Sequence, residues 1–249
     1  MKKPFHFAIT MDSLDRKNLI AINNFFPDFR MRVYFELDHP ESRAGLCRIA
    51  CQEPKLDICD ISTTSNPNGA HKLYPLVWRF LPLLDRQVDW LFSRDLDSMI
   101  TSREQSAILE FMNRPDKSFH TMRDHPNHQN KIMGGLWGVK LINETFRSQM
   151  EEAFMGLLTD PVAYRPRTKR GADQFLLMRH IWKLVQGKPL LSHDSYSCGK
   201  YNDTIGFPTP RKRQVANNFV GAVLEMNLTL DIPCPINCRR MGHPDWTYC

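Results

Sequence analysis

No stretch of this 249-residue sequence approaches the roughly 20 consecutive apolar residues of a membrane-spanning helix, so no membrane span is expected. The opening MKKPFHFAIT carries two lysines, but its apolar run is too short for a secretory signal peptide. Low-complexity tracts and internal repeats are also missing, which argues against disordered segments and repeat architectures. No zinc-finger spacing, RNA-recognition signature or basic helix with heptads accompanies the positive charge, so nucleic acid is not an expected partner. What remains is ordinary globular material, 42% hydrophobic and 24% charged, long enough to bury a substantial core.

The formal charge of +6 is gathered in Arg165 to Arg170, Arg211 to Arg213 and Arg239–Arg240. Such runs are solvated loops or attract phosphates and acidic glycans. Three N-x-T sequons, at Asn143, Asn202 and Asn227, are acceptors only in a secretory compartment. Of seven cysteines, Cys234, Cys238 and Cys249 fall in a short Pro-rich tail. Their spacing is poor for a four-ligand zinc site, so disulfides clamping the tail are expected in an oxidising compartment, and free thiols in a cytosolic one. These features lean towards a luminal domain of the secretory pathway that lacks its leader or anchor, with a cytoplasmic protein as the alternative.

Strands and helices alternate through the first half. Phe5 to Ile9 is a short apolar run, Leu19 to Phe26 reads as a helix, and Met31, Val33 and Phe35 alternate as in a strand. Leu56 to Ile61 is a second strand, and Leu73 to Leu84 an apolar segment of helical character despite Pro75 and Pro82. Val88, Trp90 and Phe92 run into Arg94-Asp95-Leu96-Asp97, and a helix follows with Ser102 and Gln105 at capping-box spacing. Further on, Phe119 to Met122 is a strand, and Ile132 to Val139 contains the Gly134–Gly135 pair and Trp137. Phe146, Met150, Phe154 and Leu157 mark a helix, Asp173 opens another, and Phe219 to Leu224 is a last strand. The alternation predicts a mostly parallel α/β sheet flanked by helices, with residues 1–230 as one domain and 231–249 as an irregular Cys-rich tail. Within the domain, 1–100 is the expected nucleotide-binding half and 101–230 the acceptor half.

In such sheets ligands bind beyond the carboxyl ends of strands, where Asp95 and Asp97 fall. Two carboxylates there suit a hard cation, Mg²⁺ or Mn²⁺, that keeps positions open for substrate phosphates. A bare D-x-D is common by chance. Here it is accompanied by Trp78-Arg79-Phe80-Leu81, Ser93-Arg94-Asp95-Leu96-Asp97-Ser98 and Met122-Arg123-Asp124-His125-Pro126. Gly134-Gly135-Leu136-Trp137-Gly138, Gly171-Ala172-Asp173-Gln174 and His193-Asp194-Ser195-Tyr196 follow in order. Together, over about Asn18 to Val223, these motifs resemble a family of GT-A glycosyltransferase-like proteins.

The resemblance implies a GT-A-like fold and transfer of a sugar from a nucleotide-sugar donor, UDP-linked by default, to a glycan, protein or small-molecule acceptor. It implies Asp95, Asp97 and His193 as metal ligands and Asp173 as the catalytic carboxylate, acting as base or orienting the donor. Arg79 is placed on a donor phosphate, and Arg94, Asp124, His125, Gln174 and Asp194 among the donor- or substrate-binding residues. Gly134 and Gly135 would let backbone approach a sugar, and Trp137 would stack on a sugar face. Rival readings are a catalytically degenerate relative that only binds glycan or nucleotide, and a haloacid-dehalogenase-like phosphatase with Asp95 as nucleophile. The phosphatase pattern wants Thr or Val where Met99 stands, and an earlier strand. A glycosidase needs carboxylates straddling a sugar, which two aspartates two residues apart do not ensure.

Overall fold

A computed structural model describes residues 5–10, 16–37, 40–63, 69–164, 171–201, 203–223 and 226–249. The Arg165 to Arg170 run, the Asn202 acceptor and Leu224 lie outside them. The strands are β1 (Phe5–Thr10), β2 (Phe29–Phe35), β3 (Leu56–Asp60), β4 (Trp90–Arg94), β5 (Phe119–Arg123), β6 (Leu136–Lys140), β7 (Leu190–Asp194) and β8 (Thr204–Ile205). They form one sheet in the order β3-β2-β1-β4-β6-β5-β7-β8. Among the described strands β6 alone runs against the others, antiparallel to both β4 and β5. This is the expected α/β architecture, a mostly parallel sheet flanked by helices.

Both sheet faces are covered, which is why β4 reads as a nearly continuous apolar run rather than a clean alternation. On one face α1 (Arg16–Phe25), α2 (Pro40–Gln52) and α4 (Ser102–Met112) bring Leu19, Ile22, Ile108 and Phe111 onto Met31, Val33, Phe92 and Met122. On the other, α5 (Glu144–Thr159) and α6 (Ala172–Leu176) bring Met150, Phe154 and Leu176 onto Leu91, Phe119 and Trp137. Successive residues Leu91 and Phe92 thus serve opposite cores. Phe111 contacts the rings of Trp90, Phe92 and His120. Truncating such a residue to Ala typically costs about 3–5 kcal/mol.

Several elements differ from the sequence reading. Helix α2 carries no legible pattern, because Leu46 is its one fully buried residue and Gly45 sits inside it. The 73–84 segment is not one helix. Pro75 opens the single turn α3 (Pro75–Trp78), and Pro82 falls in a separate 3-10 turn, Leu81–Leu84. Proline starts a helical turn readily and cannot continue one. The cap of α4 is Thr101, whose side chain accepts from the Glu104 N–H, one residue earlier than Ser102. Asp173 lies in the first turn of α6 behind Gly171, whose φ of 81° takes the cap position. The chain then widens into a π turn, Leu177–Ile181, before α7 (Trp182–Val185). Phe219 to Val223 is not a strand; one isolated bridge joins Val223 to Ser98.

The tail is irregular apart from a 3-10 turn at Ile236–Cys238, yet it is packed against the body. Disulfides join Cys198 to Cys238 and Cys234 to Cys249, leaving Cys47, Cys51 and Cys59 free. Gly206 lies directly under the tail: a Cβ there would meet the Cys238 carbonyl at 2.7 Å and the Arg240 nitrogen at 2.6 Å.

Candidate active site

Because β1, β4, β5 and β7 run parallel, their carboxyl ends share one sheet edge, and the antiparallel β6 begins there. That edge gathers Asp95, Asp97, Asp124, His125, Gly134, Gly135 and Asp194 from segments far apart in sequence. The tight group is smaller. Arg79, at the end of α3 and 2% exposed, forms ion pairs with Asp95 through Nη1 and with Asp173 through Nη2, the latter at 2.6 Å. The Asp173 side chain is equally buried, at 2%.

The two glycines before β6 are explained by this group. A Cβ on Gly134 would fall 2.1 Å from Asp173 Oδ2 and 2.4 Å from Arg79 Nη2; one on Gly135 would fall 2.3 Å from Asp95 Oδ2. Gly138 faces the Phe92 ring in the same way, at 2.4 Å. In this structure the space that missing β-carbons leave is filled by the chain's own carboxylates and ring. Ser93 Oγ donates to the Gly134 carbonyl at 2.8 Å and ties β4 to this turn.

Asp97 is exposed and has no ion-pair partner among the described residues. Partial burial and the adjacent Asp95 charge raise its pKa. Burial also pushes the Asp95 carboxyl up, but Arg79 outweighs that and holds it below the usual range. Three carboxylates against the one Arg79 guanidinium leave an excess of two negative charges, since Arg94 is matched by Glu104. Oxygen-only donors with two negative charges unmatched fit a divalent hard cation held by one or two carboxylates and by substrate phosphate. A candidate donor set thus exists at Asp95 and Asp97.

Other expected site residues stand elsewhere. His193, on β7, is three strand positions from β4, about 14 Å along the sheet. It is fully buried, with Nδ1 2.7 Å from His120 Nε2 and Nε2 3.1 Å from Glu110 Oε2. Both ring nitrogens are occupied, so the structure does not bring it to the aspartates as a third ligand. Trp137 is wholly buried between Phe119, with ring centroids 5.3 Å apart, and Phe80, so it is not free to stack on a sugar. Arg94 points into the core, pairing with Glu104 at 2.5 Å and donating to the Ser98 and Met99 carbonyls. It shapes the Asp95–Asp97 turn rather than facing the donor phosphates.

Asp124 and Asp194 are fully buried and fully used, so neither has an oxygen left for a substrate hydroxyl. Asp194 accepts from Arg123 Nε at 2.5 Å and from the Tyr196 and Ser197 amides. Its carboxylate also lies near the sulfurs of Cys198 and Cys238, which are joined to each other. His125 is half-buried, its Nδ1 accepting from the Asn127 amide and its ring 4.8 Å from that of Phe219. The Gln174 amide oxygen accepts from Asn130.

The sequence reading missed Arg103, Glu104 and Glu110, which look like solvent-facing charges on a helix. Glu104 and Arg103 lie on the buried side of α4. Glu110 joins His193 to Arg240; burial pushes its carboxyl up, but those two partners hold it down at about 2. The one available signal was spacing: Arg103, Glu104 and Glu110 sit three or four residues from the apolar positions Ala107 and Ile108.

No protein-family model matches the chain, and no curated protein sequence does. Among solved structures it is similar to a glycosyltransferase involved in the glycosylation of the major capsid of PBCV-1. Identity is 10% and the TM-score 0.43, over 77% of this chain and 81% of that one. It is also similar to S. aureus TarS 1-349, at 10% identity and a TM-score of 0.41, over 71% of this chain and 55% of that one. Likeness at this distance says nothing of the site's chemistry.

Proposed function

We propose that this chain is a metal-dependent glycosyltransferase that moves a sugar from a nucleotide-sugar donor, UDP-linked by default, to a hydroxyl acceptor. The observation that carries the reading is the unpartnered Asp97 beside the Arg79–Asp95–Asp173 group, at the carboxyl end of a central strand. Asp97, with Asp95, would hold Mn²⁺ or Mg²⁺. When bound, such an ion supplies Lewis-acid neutralisation of the charge that develops on a departing diphosphate.

The chain's own residues do the rest. Arg79 fixes Asp95 on one side and Asp173 on the other, so the two carboxylates keep their separation and orientation. Buried behind Arg79, Asp173 has the orienting role; serving as base towards an acceptor hydroxyl would require Arg79 to release its Oδ2. Gly134 and Gly135 allow the β6 turn to close over both carboxylates. The buried Arg94 fixes the Ser98 and Met99 carbonyls, and with them the turn that presents Asp97.

The test is thermal stabilisation by UDP and by GDP, with Mn²⁺ or Mg²⁺ and with EDTA. At a nucleotide concentration of 100 times Kd the expected stabilisation is about 2.7 kcal/mol. It should require the metal and vanish in Asp97→Ala, whose own melting temperature stays near the native one. A shift that EDTA leaves unchanged, or that survives in Asp97→Ala, sinks the metal-dependent reading. No shift from well-folded native chain favours a degenerate glycan-binding protein.

A further inference from the structure

Asp124 has four hydrogen bonds and no exposure. Its Oδ2 accepts from Arg103 Nε at 2.7 Å and from the Val220 amide at 2.9 Å. Its Oδ1 accepts from Arg103 Nη2 at 2.8 Å and from the Ser195 hydroxyl at 2.5 Å. A carboxylate withdrawn this completely from water is stable only with its charge paired and its lone pairs filled. Burial pushes its pKa up, and the Arg103 guanidinium more than reverses that. Arg103 is fixed in turn, donating to the Thr209 carbonyl and lying 4.2 Å over the Phe207 ring.

Val220 is what this carboxylate holds in place. It belongs to the stretch Phe219–Val223, whose far end reaches the metal-side turn. Val223 bridges Ser98, one residue beyond Asp97, and the Met99 amide donates to the Ala222 carbonyl at 2.9 Å. Gly221, with φ of 88°, passes so close to β6 that a Cβ would lie 3.0 Å from Leu136 and 3.1 Å from the His128 ring. Phe219 covers His125. The stretch therefore crosses from Asp97 to the end of β5, away from β1 to β3. Behind Asp124, Ser195 Oγ lies 3.2 Å from the carbonyl of Cys249, the disulfide-bonded C-terminal residue.

We propose that Phe219–Val223 is the acceptor-side wall of the active cleft, and that Asp124 is the positioning residue that holds it against the Asp97 turn. The name acceptor side rests on the glycosyltransferase reading; the clamp itself does not. Asp124 touches no substrate. It acts through the Val220 amide; the Ser195 hydroxyl donates to it, and the disulfide-bonded tail packs behind Ser195 at Cys249. The irregular tail is thereby tied to the geometry beside Asp97.

The experiment is backbone amide exchange on the full chain, native and with Asp124→Asn, Asp124→Ala or Ser195→Ala, alongside UDP–Mn²⁺ affinity by calorimetry. Losing a hydrogen bond to a charged acceptor, worth about 1.5–3 kcal/mol, corresponds to roughly 10- to 100-fold faster exchange. Asp124→Ala should show that increase at Val220 and Met99 over and above the common acceleration that lost global stability gives the β1 and β4 amides. Asp124→Asn, which keeps one carbonyl oxygen, should lose less protection than Asp124→Ala. UDP–Mn²⁺ affinity should stay within about threefold, because Asp95 and Asp97 are untouched. If the Asp124 variants do not fold, Ser195→Ala carries the same comparison. Unchanged exchange at Val220 and Met99, or equal acceleration through the whole sheet, overturns the clamp. If the native chain binds no UDP–Mn²⁺, the glycosyltransferase reading and the name acceptor side fall, and the exchange result still decides the clamp.

Discussion

Strands β4 and β5 each end in an arginine followed by an aspartate, Arg94-Asp95 and Arg123-Asp124, and the two ends are used in opposite ways. At both, the arginine is the last strand residue and turns into the core, pairing with Glu104 in one case and Asp194 in the other. Asp95 is half-buried and linked to Arg79 and, through it, to Asp173, with the unpartnered Asp97 two residues on. Asp124 is sealed by Arg103, Ser195 and Val220. One end keeps negative charge in reach of a ligand. The other consumes its charge internally and fixes backbone. An identical dipeptide at an identical point of a strand thus says little about role; the neighbouring segments decide it.

Substitution should separate the two ends most sharply in stability. Asp124→Ala leaves a buried Arg103 without its carboxylate and should cost about 3–5 kcal/mol in denaturant unfolding. Asp97→Ala, at an exposed position, should stay within about 0.5 kcal/mol. Equal losses would erase the contrast. The tail behind Asp124 offers a second separation. Removing the Cys234–Cys249 link, which spans 15 residues, should cost about 3 kcal/mol by the loop-closure model, without weakening UDP–Mn²⁺ binding.

A smaller effect is expected on the Asp95 side from Gly134→Ala, whose Cβ would meet Asp173 and Arg79. Overpacking of about 1–3 kcal/mol should appear together with lost UDP–Mn²⁺ stabilisation. Full binding by that variant would show that the carboxylates need no fixed geometry.

The least abrupt difference is in pH dependence. Burial lowers the pKa of His120 and His193 on the Asp124 side, and that of His128 to about 4. Below the ordinary value near 6.5 the unfolded chain binds protons that the folded chain refuses. Stability should therefore fall as pH drops through that value, by up to about 1.4 kcal/mol per pH unit for each group. Glu104, pushed up to about 7 by burial despite Arg94, opposes this: its contribution falls as pH rises from its ordinary value towards 7. His125 is lowered by burial as well, so with four groups against one, melting temperature should decline from pH 6.5 to pH 5. A flat profile would show that the histidines are not held neutral.

Much of the fold was legible, because strands buried on both faces need long apolar runs and the helices over them need an apolar stripe. Phe29–Phe35, Leu56–Asp60 and Trp90–Arg94 all fall where the pattern places them. Helix α2 was not legible, since one deeply buried side chain makes no stripe. The last strand, expected at Phe219 to Leu224, is not formed over the described Phe219–Val223, whose residues lie beside the Asp97 turn instead of in a ladder.

The site divided along the same line. Local order alone puts Asp95 and Asp97 just beyond a buried strand, and the cysteines of the tail within reach of one another. Only tertiary structure decided which charges cancel. Arg79 lies 94 residues from Asp173, Arg103 92 from Ser195, and Glu110 130 from Arg240. Charge pairing is a short-range effect between groups that the sheet and helices bring together, so no window of sequence contains it. That is why Asp95 and Asp124 look alike in the sequence, each after the arginine that ends a strand, and why packing alone leaves the Asp95–Asp97 end open to a ligand and the other closed.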